Sequence, residues 1–259
     1  MYTFKVLYSG SDGNAALLRA EDGTAVLIDA GRSARTLTAA LGEAGVSPDA
    51  LSAVFLTHEH RDHTAALDVF IKHHKIPVHT TTASAERIRR MAGEALQAAL
   101  VEHPPLFAVT INGITLSSFV TPHDSAGSVG YRITVQEGDT AYTIGYATDL
   151  GTVTADVERG LFGCEAVVLE CNHDEVMLRE GPYPFDLKRR IASRCGHLSN
   201  CDCAAFCARL AARGTKRFLL AHLSETNNDP TLALAEVRSA LAGFPVTVDA
   251  AHPTLITEL

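Results

Sequence analysis

The sequence predicts an α/β fold in which two mixed β-sheets face each other and helices cover their outer sides. Three observations predict it. Short apolar runs bounded by Gly, Asp or Asn open the chain. A block of alternating runs joined by hairpin turns fills the middle, and buried strands mixed with helical stretches follow. That order of elements suits two sheets packed face to face. No internal repeat, low-complexity linker or composition shift divides the 259 residues, so a single domain over 1–259 is expected.

The first strands are TFKVLYS, AALLRA and TAVLIDA. SARTLTAALGEAG has helical spacing, with Gly45 as its stop. LSAVFLT is apolar almost throughout and reads as a strand buried on both faces. TAALDVFIKHHK reads as one amphipathic helix ended by Pro77. LFAVTIN, ITLSSFVT, SVGYRITVQ and TAYTIGYAT are strands, with Asn112-Gly113 and Glu137-Gly138-Asp139 as turns between them. After EAVVLE the pattern turns helical. KRFLLAH is another buried strand, and DPTLALAEVRSALAG a last helix with Pro230 in its first turn and Gly243 at its end.

Composition narrows the function classes. Hydrophobic residues make up 46% and charged residues 20%, ordinary for a globular protein. No stretch approaches the roughly 20 apolar residues that span a bilayer. The N-terminus carries no basic segment before an apolar core, so no signal peptide is expected. The six cysteines then read as thiols in a reducing cytoplasm. A net charge of −8 gives no broad cationic surface. Basic clusters are local: RIRR at 87–90, LKRR at 187–190 and RGTKR at 213–217, each also readable as a solvated helix face.

The chemistry concentrates in AVFLTHEHRDHTAAL. A buried strand runs into His58, His60, Asp62 and His63. Two histidines at i and i+2 project to one side and can clasp a cation. Asp62 and His63 are adjacent, point differently and suit a second cation close by; imidazole and carboxylate serve zinc, iron or manganese. An HExxH zinc helix is contradicted, because Asp62 stands where that motif needs histidine. His123, Asp149 and His222 each follow an apolar strand and complete a set of seven.

These residues resemble those of the metallo-β-lactamase-fold hydrolases, whose HxHxDH motif appears here as His58 to His63. The resemblance runs along the whole chain. YSGSDGNAALL, PHDSAGSVGYRI, ATDLG, GHLSN and AHLSETNN narrow it to the WalJ (YycJ) subfamily, among the phosphodiesterases and nucleases of the fold. It implies a four-layer αββα sandwich with two divalent metal ions at one edge, zinc or manganese, with iron also accommodated. His58, His60 and His123 would hold one ion. Asp62, His63 and His222 would hold the other, with Asp149 between them and Asp29 of LIDAG orienting a ligand histidine. The β-CASP insertion of larger nucleases is not expected between Asp149 and His222.

A phosphodiesterase using a metal-bridging hydroxide also needs a general acid. His197 in GHLSN is the candidate, held by Glu170, with Asp62 counted among the catalytic groups. His173, Ser125, Lys188, Arg189 and Arg190 are candidate substrate contacts. The expected activity is that of a nuclease, DNA 5′-exonuclease-like, with nucleic acid as partner and no membrane. The alternative is a hydrolase of a cyclic phosphodiester, thioester or lactam on the same site.

CGHLSNCDCAAFC holds four cysteines and a histidine, and its spacing also permits a zinc knuckle. The reading preferred here is a helix capped by Ser199, with Asp202 completing a near capping box. Cys203 and Cys207 then share its apolar face with Phe206 and Leu210.

Overall fold

In the computed structural model, which describes residues 1–259, apolar alternation sorts the strands into two seven-stranded sheets. The first sheet contains β1 (Thr3–Tyr8), β2 (Ala15–Arg19), β3 (Ala25–Ile28), β4 (Leu51–Phe55), β5 (Val78–Thr81) and β6 (Leu100–His103). Its order is β14-β1-β2-β3-β4-β5-β6, with the short β14 (Thr257–Glu258) at one edge. The second sheet contains β7 (Ala108–Ile111), β8 (Ile114–Val120), β9 (Val129–Glu137), β10 (Thr140–Ala147), β11 (Ala166–Glu170), β12 (Arg217–Ala221) and β13 (Thr247–Ala250), ordered from β13 to β7. Both sheets are mixed: β3 to β6 run parallel in one, and β10 to β13 in the other.

Three apolar clusters make four layers. Between the sheets, Phe4, Val26, Ile28 and Phe55 meet Ile133, Tyr146, Val168 and Leu219. Leu27 and Val54 point the other way, onto α1 (Ala34–Glu43) and α3 (Leu67–His74). Val167 and Leu169 point outward onto α6 (Ala155–Leu161), α9 (Asn200–Ala211) and α10 (Pro230–Ala240). Alternating side chains of one strand thus serve two different cores, and the central strands are apolar on both faces. No helix is long and apolar enough to cross a membrane.

The strands and helices read from the sequence are present, with corrections where local geometry intervenes. The stretch 64–75 is not one helix. A short α2 (Arg61–Thr64) carries the end of the His/Asp turn, and α3 starts at Leu67. Lys75, in the left-handed conformation, ends α3 before Pro77 is reached. Residues 78–103, which carry no clear period, form β5, α4 (Thr82–Arg89), α5 (Glu94–Ala99) and β6. β7 is shorter than LFAVTIN suggests. Its turn into β8 has Asn112 and Gly113 both at positive φ, as a tight hairpin requires.

One loop seats the histidine-aspartate turn. Ala30 N–H donates to His63 O at 2.7 Å, Ala66 N–H to Ala30 O at 2.9 Å, and Asn14 N–H to Asp62 O at 2.8 Å. Gly31 makes this close approach feasible, since a Cβ there would stand 1.9 Å from Asp62 O. Gly31→Ala is therefore expected to cost about 2 kcal/mol or more, the range of overpacking a dense core. Thermal melts check the stability, and metal analysis checks whether the displaced Asp62 turn has weakened retention of the ions.

Candidate metal centre

The C-terminal ends of β3, β4, β8, β10, β11 and β12 share one rim of the sandwich, where parallel strands present their loops. Asp29 follows β3, His58 follows β4, His123 follows β8, Asp149 follows β10 and His222 follows β12, while Glu170 is the last residue of β11. The rim is stitched across the two sheets. Val129 N–H donates to Thr57 O at 3.0 Å, and the Tyr131 hydroxyl donates to Leu56 O.

The seven predicted ligands form two adjacent sets. His58, His60 and His123 make one; Asp62, His63, Asp149 and His222 make the other. Within each set, one donor atom per residue lies within 4.8 Å of the others. Asp149 faces both: Oδ2 is 3.2 Å from His63 Nε2 and Oδ1 is 3.8 Å from His123 Nε2.

The donor chemistry fits divalent cations. His58 Nε2 and His222 Nε2 are buried without a hydrogen-bond partner, and Asp149 Oδ2 has no aligned donor. His60 Nδ1 and His123 Nε2 face each other at 3.3 Å. Buried nitrogens and carboxylate oxygens converging in this way need a positive charge among them. The opposite ring nitrogens are committed elsewhere. His123 Nδ1 donates to Gly196 O at 3.1 Å, which leaves Nε2 for a metal.

Two buried carboxylates hold the rings. Asp29 Oδ2 accepts from His63 Nδ1 at 2.9 Å, while Thr57 N–H at 2.8 Å and the Thr57 hydroxyl complete its shell. Asp29, read from the sequence as orienting a ligand histidine, is thus hydrogen-bonded to His63. Glu170 Oε1 accepts from His197 Nδ1 and from His222 Nδ1, both at 2.8 Å. Its Oε2 accepts from Leu150 N–H at 2.9 Å and Leu198 N–H at 3.1 Å. Glu170 therefore does more than the sequence suggests: it sets a ligand histidine as well as His197.

The electrostatics follow from these contacts. Burial would raise the Glu170 carboxyl, but the paired His197 and His222 outweigh it and bring it down to about 2. Burial would depress His197, but Glu170 holds it above the ordinary imidazole value. His63 and His222 are likewise pushed well up, because adjacent carboxylates overcome their burial. For His58, burial and the neighbouring imidazoles of His63, His123 and His60 outweigh Asp149 and push it well down.

The candidate substrate contacts separate. Lys188 and Arg189, on α8 (Phe185–Ile191), line a cleft of about 520 Å³ together with His173 and His197. Arg190, from the same helix, instead pairs with Asp124 and lines a smaller cleft of about 180 Å³ that His197 also borders. Ser125 lines neither cleft. Residues that carried no assigned role in the sequence also shape the centre. Asn14 Nδ2 lies 3.2 Å from His63 Nε2. Glu59 ties the His123 loop to the start of α4, accepting from Ala126 N–H at 2.7 Å and the Ser84 hydroxyl at 2.8 Å. Asn14 stands in the conspicuous GSDGN turn; Glu59 looks like a spacer inside the metal motif.

The cysteine segment is a helix. The Ser199 hydroxyl accepts from Asp202 N–H at 3.2 Å, although the return bond of a full capping box does not form. Cys203 and Cys207 are fully buried beside Phe206 and Leu210, and Cys195 and Cys201 are exposed. His79 and His103 stack with Phe55 and Phe107 in a column away from the metal ligands.

A family model described as the beta-lactamase superfamily domain matches residues 24–223. Exodeoxyribonuclease YycJ of Bacillus anthracis is 33% identical over 249 residues, covering 94% of this chain and 91% of that protein. Exodeoxyribonuclease WalJ of Streptococcus pneumoniae is 30% identical over 245 residues, covering 93% and 88%. The crystal structure of the metallo-β-lactamase-fold protein YhfI from Bacillus subtilis superposes with a TM-score of 0.72 at 18% identity, over 99% of each chain. That superposition shows the fold.

Two outcomes follow from the donor geometry. His63 and His222 must surrender protons to bind a cation, so Zn²⁺ or Mn²⁺ binding should release protons, and affinity should fall as pH drops from 7.5 to 5.5. Calorimetry in buffers of different ionisation enthalpy measures this release; none at all would contradict the protonated resting state. Asp29→Asn should cut metal affinity roughly 10- to 100-fold, the usual effect of losing a carboxylate that orients a ligand histidine. Competition with a chromogenic chelator reads it.

Proposed function

Because the chain belongs to the β-lactamase superfamily, we propose that it is a metal-dependent phosphodiesterase, an exodeoxyribonuclease working from the 5′ end. The observation that carries this reading is His197. It stands beside the second ligand set, held through Nδ1 by a buried carboxylate, and borders both clefts at the centre. A hydrolase that expels an alkoxide needs such an acid. The similarity to two exodeoxyribonucleases along more than nine-tenths of this chain supports DNA as the substrate.

Two divalent ions, zinc or manganese, would be held by His58, His60 and His123 and by Asp62, His63 and His222, with Asp149 shared. When bound they supply a water of near-neutral pKa and positive charge against the phosphorane-like transition state. The chain's own groups do the remainder. Asp62, the most exposed carboxylate of its set at 25%, accepts a hydrogen bond from the attacking water and orients it. His197 donates a proton to the leaving 3′-oxygen. Glu170 fixes the ring through Nδ1, stabilises its protonated form, and lies saturated by two backbone amides so that it does not itself turn. The protein reads as one 1–259 domain acting in a reducing cytoplasm, in keeping with its six free cysteines.

The test is reconstitution with Mn²⁺ or Zn²⁺, followed by assays on 5′-labelled DNA, RNA, a diester chromogen and a lactam. Activity on the lactam alone would overturn the reading. His197→Ala is expected to lower kcat on DNA roughly 10²- to 10⁴-fold with metal content retained; loss of metal would make His197 a ligand instead. Since His197 must be protonated to act and Glu170 raises its pKa, wild-type rate should fall on the alkaline side. His197→Ala should abolish that limb of the profile.

A further inference from the structure

The nuclease reading leaves one exposed aromatic without a task. Phe185 opens α8 with 76% of its surface exposed, far more than any other phenylalanine at the surface. It lines the 520 Å³ cleft that His197 borders. Lys188 and Arg189 follow it by three and four positions, so they share its side of the helix. Arg179 reaches the same cleft from α7 (Glu175–Glu180).

These three cations gather on a chain of net charge −8, and their commitments are loose. Arg189 meets Asp186 only at 3.5 Å, with both groups exposed. Arg179 pairs with its neighbour Glu180 at 3.1 Å, also at the surface. Lys188 Nζ donates to Arg179 O at 2.8 Å. Two carboxylates, Glu175 and Asp202, also line the cleft. His173 adds an independent sign of a ligand. It is 97% buried on the 3% exposure of its surface, lines the cleft, and its Nδ1 has no partner in the protein.

We propose that this cleft receives one unpaired nucleotide of the substrate strand, its base stacked on Phe185 and its phosphates met by Arg179, Lys188 and Arg189. The proposal rests on the nuclease reading and names the form in which DNA reaches the centre. An aromatic flanked by cations holds a single strand whatever its sequence, because every base offers a π-face. His173 supplies a polar contact to the base edge from the cleft floor. A base inside a duplex has both faces stacked and cannot offer one to Phe185, so the end of a duplex must fray before it enters. His197 lines both this cleft and the smaller one, so a nucleotide held here lies next to the proposed general acid.

The experiment uses oligodeoxynucleotides carrying a terminal 2-aminopurine, titrated with full-length protein in EDTA so that binding is read without turnover. Wild type and Phe185→Trp should quench the fluorophore; Phe185→Ala should not, and its Kd should weaken roughly 5- to 100-fold. Lys188→Ala and Arg189→Ala should each lower the slope of log Kd against log salt by about 0.7. With metal restored, the preference of Phe185→Ala for oligonucleotide over a diester chromogen should fall by a factor similar to its loss of binding. Quenching and affinity in Phe185→Ala equal to wild type would overturn the cleft assignment while leaving the nuclease reading intact. A wild-type protein that hydrolyses the chromogen but neither binds nor degrades DNA would overturn the nuclease reading itself.

Discussion

The centre depends on two carboxylates buried at strand ends, one from each sheet. Asp29 and Glu170 are both fully buried, a placement that is costly unless every oxygen is satisfied. Glu170 is satisfied by two backbone amides and Asp29 by one amide and a hydroxyl, both of Thr57, with imidazole Nδ1 on the other side of each. The result is a pair of fixed imidazoles whose Nε2 atoms look into the same space from opposite sheets. Ring orientation is thereby set by the protein's own hydrogen bonds. The facing sheets matter to the chemistry because they bring these two carboxylate-histidine units together.

The division of labour at Glu170 explains how one rim can bind metal and handle protons. The same oxygen accepts from His222, a predicted metal ligand, and from His197, the proposed general acid. A cation held by His222 would withdraw charge from one side of Glu170, and the proton that Glu170 favours on His197 would balance it on the other. On the proposed reading, metal binding and proton donation would be coupled through a single carboxylate.

Much of this was legible in the sequence where a residue's type and its place after a strand coincide. HEHRDH follows an unbroken apolar run, so its position on a sheet rim could be read directly. The later His123, Asp149 and His222 were found the same way. What escaped depends on contacts that carry no period. Residues 78–103 lack a clear hydrophobic repeat, because their strands and helices are only four to eight residues long and half exposed. The double role of Glu170 needs the 52-residue separation from His222 to close, which only the pairing of β11 with β12 achieves. Phe185 reads in sequence as an ordinary apolar helix residue; only its exposure sets it apart.

Asp29, Asp149 and His222 all sit at positive φ, between 56° and 60°, where a side chain is disfavoured and glycine is at ease. Each turns sharply as it leaves its strand, and the turn aims its side chain into the centre. Glycine at any of the three would relax the backbone and at the same time delete a functional group. A search for thermostable variants guided by stability alone would therefore drift toward erasing this centre, position by position. At these positions Asp and His place a functional group where the backbone alone would favour glycine.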